Sequence, residues 1–137
     1  METVILDAGP LVAYFDASEE HHAWCVRQFE SLQPPLLSCE AAMAEAVYLV
    51  ESRGGDSTRI FEFLQNGLIQ LPFRLEAEIQ AVVTLRRRYA NVPMSLADAC
   101  LLRLSEAHVN ARVFTLDRDF KIYRRHGRQV IPLIFPG

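Results

Sequence analysis

Asp7, Glu45, Asp98 and Asp117 are acids set among apolar residues: Asp7 ends VILD, Glu45 sits inside AAMAEAVYLV, Asp98 lies in SLADACLL and Asp117 ends VFTLD. On a helix, the neighbours of Glu45 three and four positions away are Ala41, Ala42, Tyr48 and Leu49. Those of Asp98 are Met94, Ser95, Leu101 and Leu102, so no cation at helical spacing neutralises either acid. A carboxylate buried without a partner costs several kcal/mol or takes up a proton. Four such positions in one short chain ask for a common cause, and a divalent cation supplies it, because Mg²⁺ and Mn²⁺ take hard oxygen ligands. Two carboxylates about 5 Å apart repel by roughly 3 kcal/mol at an effective dielectric near 20, and four gathered acids make six such pairs. That total exceeds the stability of a typical domain, about 5–15 kcal/mol. Gathered acids must therefore hold cations or protons, and a bound Mg²⁺ or Mn²⁺ can acidify water for attack on a phosphodiester.

Simpler roles compete at some of these positions. Ser95-x-x-Asp98 has the spacing of a helix capping pair, Asp117 suits a turn, Asp119 suits the N-cap of the segment after it, and Asp7 suits a cap after VIL. Glu45 has no such duty, because a helix interior offers a carboxylate no free backbone donor. Asp16, Glu19 and Glu20 read as loop and helix-start acids and are set aside. His21 and His22 are adjacent and face different ways on a helix, a poor arrangement for metal-free acid and base catalysis. No H-E-x-x-H, G-x-S-x-G or G-x-x-x-x-G-K occurs, which removes zinc protease, hydrolase-elbow and nucleoside-triphosphatase chemistry.

The formal net charge of −3 hides a strong asymmetry. Residues 1–85 hold 13 acids and 4 bases, whereas residues 86–137 hold 4 acids and 10 bases, giving −9 and +6. Three of the acids in the basic part are Asp98, Asp117 and Asp119. Arg86, Arg87, Arg88, Arg118, Lys121, Arg124, Arg125 and Arg128 are thus candidates to follow a phosphate backbone around an acidic cavity.

The elements that would position these groups alternate between short strands and longer helices. Strands are expected at Thr3–Leu6, Leu36–Ser38, Leu68–Leu71, Arg112–Leu116 and Gln129–Phe135. Helices are expected at Leu11–Phe15, Ser18–Leu32, Cys39–Arg53, Asp56–Asn66, Leu75–Tyr89 and Ser95–His108, with a short basic turn of helix after Asp119. Cys39–Arg53 is apolar on nearly every side and is expected to be buried. Strands separated by helices, without a tight hairpin signal, imply right-handed crossovers and a mainly parallel sheet of about five strands in an α/β sandwich. Ligands of such sheets gather beyond the carboxyl ends of the strands, where Asp7 and Asp117 fall.

At 137 residues the chain is expected to be one domain, 1–137, burying roughly two thirds of its unfolded surface. A hydrophobic content of 50% with 23% charged residues belongs to an ordinary globular protein. The start METVILD lacks the plan of a signal peptide, and no apolar run approaches membrane-spanning length. Cys25, Cys39 and Cys100 are odd in number and widely spaced, which fits small core residues in a cytoplasmic protein.

LDAGPLVAYFD followed by HHAW, the Glu45 helix, the Ser95-Leu-Ala-Asp98-Ala helix and then Thr115-Leu-Asp117-Arg-Asp119-Phe120 resembles the PIN-domain ribonucleases, particularly the VapC-type toxins of toxin–antitoxin pairs. The match spans nearly the whole chain. The resemblance implies a PIN-like three-layer α/β/α sandwich with helices on both faces of the sheet, and Mg²⁺- or Mn²⁺-dependent endonucleolytic cleavage of RNA. It implies a homodimer and an antitoxin protein that covers the acidic pocket. Asp7, Glu45, Asp98 and Asp117 match the family's acidic quartet, Asp119 an additional acid, and Thr115 a hydroxyl residue that supports the pocket. Many relatives carry Thr or Ser directly after the first Asp; here Ala8 follows, so a hydroxyl contact to Asp7 must come from elsewhere. A PIN-like module that binds RNA or protein without cutting, and a phospho-receiver domain using Lys121, are the alternatives.

Overall fold

The run TVIL forms strand β1 (Thr3–Leu6), and its β-branched residues favour the extended backbone. In this computed structural model, residues 2–137 are described, so Met1 of the expected 1–137 domain lies outside the described residues. Val4, Ile5 and Leu6 are all buried, as a parallel strand covered on both faces requires. Helices α1 (Ala8–Phe15) and α2 (His22–Ser31) lead to β2 (Leu36–Leu37). Helices α3 (Glu40–Ser52) and α4 (Thr58–Gln65) lead to β3 (Ile69–Gln70), and α5 (Ile79–Arg88) and α6 (Leu96–Glu106) lead to β4 (Ala111–Phe114). A 3₁₀ turn (Arg118–Lys121) and a hairpin, β5 (Arg124–Arg125) with β6 (Gln129–Val130), precede β7 (Leu133–Ile134).

The sheet has five parallel strands in the order β3-β2-β1-β4-β7, in the three-layer sandwich expected from the sequence. The chain moves outward from β1 to β2 and β3, then crosses back to lay β4 on the other side of β1. The gap between the carboxyl ends of β1 and β4 is therefore the topological switch point, where such sheets hold ligands. The two strands run in register from Thr3 opposite Ala111 to Leu6 opposite Phe114. Helix α6 packs against both of them through a nearly continuous set of buried residues, Ala97 to Leu102 with Leu104 and Ser105. Each of its large aliphatic side chains contributes about 1.5–3 kcal/mol by burial. Helix α3 touches both α1 and α6, which brings Glu45 to the same edge.

Three expectations are corrected. Gln129–Phe135 is two strands, because Val130, 62% exposed, pairs antiparallel with Arg124 before Pro132 interrupts the chain and Leu133 enters the main sheet. The hairpin turn uses His126 and Gly127, both at positive φ, a histidine-led pair that carries no ordinary turn signal. The basic turn after Asp119 is 3₁₀ and ends at Lys121, leaving Arg124 to the hairpin. Helix α3 is not buried all round: Ala44, Glu45 and Tyr48 are exposed, Tyr48 by 69%. No helix among the described residues is long and apolar enough to cross a membrane.

Candidate metal centre

Asp7 is the residue at which β1 becomes α1. Its N–H still belongs to the sheet, donating to Phe114 O at 3.0 Å, while its side chain caps the helix, Oδ1 accepting from Ala8 N–H at 2.8 Å. The other oxygen, Oδ2, accepts from the Thr115 hydroxyl at 2.7 Å. Thr115 thereby supplies the hydroxyl that Ala8 cannot. Its own Oγ1 accepts from Asp117 N–H at 2.9 Å, so one buried threonine joins the two acids that end β1 and precede the 3₁₀ turn. Asp117 in turn caps that turn, with Oδ1 accepting from Asp119 N–H at 2.9 Å.

Asp98 stands in the first turn of α6. Ser95 caps the helix by accepting from Asp98 N–H at 3.0 Å, which leaves the Asp98 carboxylate free of capping duty toward its own helix. Tyr123 donates its hydroxyl to Asp98 Oδ2 at 2.7 Å. Tyr123 is fully buried between Phe120 and Tyr89, and a buried phenol must find an acceptor. Sequence reasoning missed it, and its only signal was an aromatic residue inside a basic segment.

All four acids of the quartet, with Asp119, line one cleft of about 390 Å³ at the carboxyl edge of the sheet. Oxygens of Asp98, Asp117 and Asp119 lie within 4.8 Å of one another. Asp7 and Glu45 line the same cleft outside that close set, and Glu45 is exposed, not the buried acid its sequence context implied. Its helix turns Ala42, Met43, Ala46 and Val50 inward and leaves Glu45 at the rim. Glu19, set aside from sequence, also lines the cleft and pairs with Arg53 at 3.4 Å.

The electrostatics are those of acids gathered at one edge of the sheet. Burial pushes Asp7 up to about 7 from its ordinary 3.8, and the nearby Asp98 and Glu45 charges push the same way against the hydrogen bonds from Thr115 and Ala8. Burial likewise pushes Asp98 up to about 6, with Asp117 and Glu45 adding to the rise and Tyr123 and Ser95 opposing it. Asp119 is raised by burial and by Asp117. Tyr123 is pushed well above its ordinary range by burial and by its bond to Asp98, so it stays a donor. The lining offers carboxylates and the Ser95 hydroxyl but neither histidine nor cysteine, a donor set suited to a hard divalent cation.

The basic candidates divide sharply. Arg125 is 1% exposed and points into the fold: Nε donates to Ser105 Oγ at 3.3 Å, Nη1 to Val109 O at 3.2 Å and Nη2 to Ala111 O. It pins the hairpin to α6 and β4 and is removed from the set facing a phosphate backbone. Arg124 turns Nη1 onto the carbonyls of Lys121, Ile122 and Tyr123, closing the 3₁₀ turn. The Lys121 ammonium sits 4.2 Å from the Phe135 ring centroid. Arg88 lines a separate cleft with Arg103, Glu106 and His126. Arg86, Arg87, Arg118 and Arg128 remain as exposed cations.

Residues 4–125 match the PIN domain family. Ribonuclease VapC26 of Mycobacterium tuberculosis (strain ATCC 25618 / H37Rv) is 30% identical over 117 residues, 84% of this chain and 87% of that protein. The fold is similar to the crystal structure of Mycobacterium tuberculosis VapC20, a Sarcin-Ricin loop cleaving toxin, with a TM-score of 0.78 at 18% identity over 95% of this chain and 100% of that one. With this cleft at the switch point of this sheet, and with a relative and a family matched over most of its length, the chain belongs to the PIN-domain family, VapC type.

Proposed function

We propose that this protein is a Mg²⁺- or Mn²⁺-dependent endoribonuclease acting as the toxin of a type II toxin–antitoxin pair. One observation carries the reading: acids from four separate parts of the chain line one cleft, and three of their carboxylates stand within reach of a single cation. Asp98, Asp117 and Asp119 would hold the metal, with Asp7 and Glu45 completing the acidic wall. A divalent cation bound there supplies positive charge for a phosphate oxygen and makes water acidic enough to attack at neutral pH.

The chain's own residues do the positioning. Thr115 fixes the Asp7 carboxylate through Oδ2 and holds the Asp117 backbone, and Tyr123 fixes Asp98 through Oδ2. Because water and not the 2′-hydroxyl attacks, products carry 5′-phosphate and 3′-hydroxyl ends. The phospho-receiver alternative loses its lysine, since the Lys121 ammonium lies over Phe135. An RNA substrate, a cognate antitoxin, a homodimer and a cytoplasmic address belong to the proposal. The exposed Tyr48, three residues beyond Glu45, is an aromatic surface that a protein partner would cover, and three buried free thiols suit a reducing compartment.

The test is cleavage of mixed RNA by purified protein in Mg²⁺, Mn²⁺ or chelator, beside Asp98→Asn. Cleavage is expected with metal only, and the variant is expected to lose it. Equal cleavage by Asp98→Asn, or in chelator, would rule the reading out.

A further inference from the structure

The turn between α5 and α6 separates two cavities and belongs to both. Pro93 lines the acidic cleft, and it also lines a second groove of about 420 Å³ whose other walls are Val83, Arg86, Arg87, Ala90 and Met94. The two cavities thus lie on either side of one proline. Their chemistries are opposite: the first is walled by carboxylates, the second by two guanidinium groups on an apolar base.

Arg86 is set in place within this groove, its Nε donating to Met94 O at 3.2 Å across the turn. That bond leaves the outer nitrogens of the guanidinium fork available for an anion. Arg53, Arg103 and Arg112 each pair with carboxylates, whereas Arg86 and Arg87 have no carboxylate partner among the described residues. Three consecutive arginines at a helix C-terminus also suit the helix dipole, but that duty would not divide them. The structure does divide them, because Arg88 lies in a different cleft beside Glu106.

We propose that this groove binds the strand of RNA flanking the bond held at the acidic cleft, with Arg86 and Arg87 on its phosphates and the Val83, Ala90, Pro93 and Met94 surface against sugar or base. A single strand suits the site because its affinity comes from phosphate charge together with contact to base faces. The inference rests on the ribonuclease reading and adds to it the path of the substrate. It assigns the sequence-level basic cluster to two residues and excludes Arg88 and Arg125 from that path.

The test measures binding of a labelled single-stranded RNA of about twelve nucleotides by fluorescence anisotropy, in EDTA so that the RNA stays intact, across a series of NaCl concentrations. For a single strand, each phosphate that the protein no longer neutralises lowers the slope of log K against log salt by about 0.7. Arg86→Gln and Arg87→Gln are each expected to lower it by about 0.7 and the double variant by about 1.4. Arg86→Lys is expected to keep the slope, and Arg27→Gln, on the exposed side of α2, to leave it unchanged. Circular dichroism melting checks that each variant is folded. In Mn²⁺ the double variant should raise KM for the same RNA several-fold with kcat unchanged. Slopes equal to wild type in both single variants, an equal drop in Arg27→Gln, or no salt-dependent binding by wild type overturns the proposal. Failure of the wild type to cut RNA in Mn²⁺ would instead sink the ribonuclease reading, leaving the binding slopes in EDTA as a separate result.

Discussion

Asp7→Asn is expected to stabilise the metal-free protein, and to do so only above acidic pH. Asp7 is buried and its carboxyl is pushed up to about 7 from 3.8. Because the folded value is raised, the native state holds more protons than the unfolded chain between these two values, and stability falls as pH rises through that window. Below about pH 4 both states keep the proton and the residue contributes its full stability. Above about pH 7 both are ionised, and the interval corresponds to about 4 kcal/mol lost, at about 1.36 kcal/mol per pH unit. Asparagine has nearly the same shape and still accepts from Ala8 N–H, but it sets an amide N–H against the Thr115 hydroxyl in place of an accepting oxygen. That hydroxyl already accepts from Asp117 N–H, so the rearrangement costs about 1 kcal/mol. The net expectation in EDTA is a gain of about 3 kcal/mol at pH 8 and a loss of about 1 kcal/mol at pH 4. At pH 8 this is roughly 10 °C in Tm for a chain of this length. Urea unfolding between pH 4 and pH 8.5 reads the difference directly. Saturating Mn²⁺ should narrow the difference, since wild type gains about 2.7 kcal/mol at a hundredfold excess over Kd and the variant gains less. A variant less stable than wild type at pH 8 in EDTA, or a difference independent of pH, would refute the account of a gathered, cation-free acidic site.

Tyr123→Phe removes the donor to Asp98 Oδ2 and keeps the ring packed against Phe120 and Tyr89, so Mn²⁺ affinity should fall about 10- to 100-fold with folding nearly unchanged. Isothermal titration with Mn²⁺ checks this, and wild-type affinity in the variant would show that the phenol does not orient the ligand. Asp119→Asn should weaken Mn²⁺ binding more than Glu45→Gln, because Asp119 belongs to the close carboxylate set and Glu45 lies at the rim; the reverse order would return the centre to the quartet read from sequence. Arg125→Gln should destabilise the fold by about 3 kcal/mol, since it strips donors from the buried Ala111 carbonyl, the part-buried Val109 carbonyl and the buried Ser105 hydroxyl, while leaving the salt dependence of RNA binding as in wild type. Urea unfolding beside anisotropy separates those outcomes, and a lowered salt slope with normal stability would put Arg125 back on the surface path.

The order of elements was legible because this chain states it locally. TVIL, the Gly54-Gly55 stop and the amphipathic helices each carry their own signal, and a parallel sheet follows from strands spaced by helices. The acids were legible because each violates its apolar surroundings. Exposure was harder to read. Glu45 sits in a segment whose composition suits burial, yet α3 packs against α1 and α6 along one side and leaves Ala44, Glu45 and Tyr48 to solvent. Nor does composition separate a buried arginine from a surface one. Arg124 and Arg125 are adjacent in a strand and face opposite ways, so one closes a turn at the surface and the other enters the core; only the hairpin, hidden behind a His126-Gly127 turn, decides which. Tyr123 and Glu19 were missed for a related reason: their roles depend on which loop folds over which edge.

The link between sheet register and site explains why two such distant segments assemble one centre. Leu6 lies opposite Phe114 in the parallel pair of β1 and β4, so continuing one step along both strands sets Asp7 beside Thr115. Neighbours at equivalent positions on parallel strands project to the same face, which is why the Thr115 hydroxyl meets Asp7 Oδ2 although the residues are 108 positions apart. A slip of one residue would bring Leu116 to Asp7 and turn the threonine to the opposite face. Val4, Ile5 and Leu6 on β1 with Ala111, Val113 and Phe114 on β4 resist that slip, because both faces of the sheet are covered and exchanging faces would break the close packing of these buried side chains. Core packing in β1 and β4 therefore specifies the register, the register places Thr115 on Asp7, and Thr115 in turn holds Asp117 N–H two residues further on. Hydrophobic energy spent in the middle of the sheet is thus what keeps mutually repelling carboxylates together at its edge.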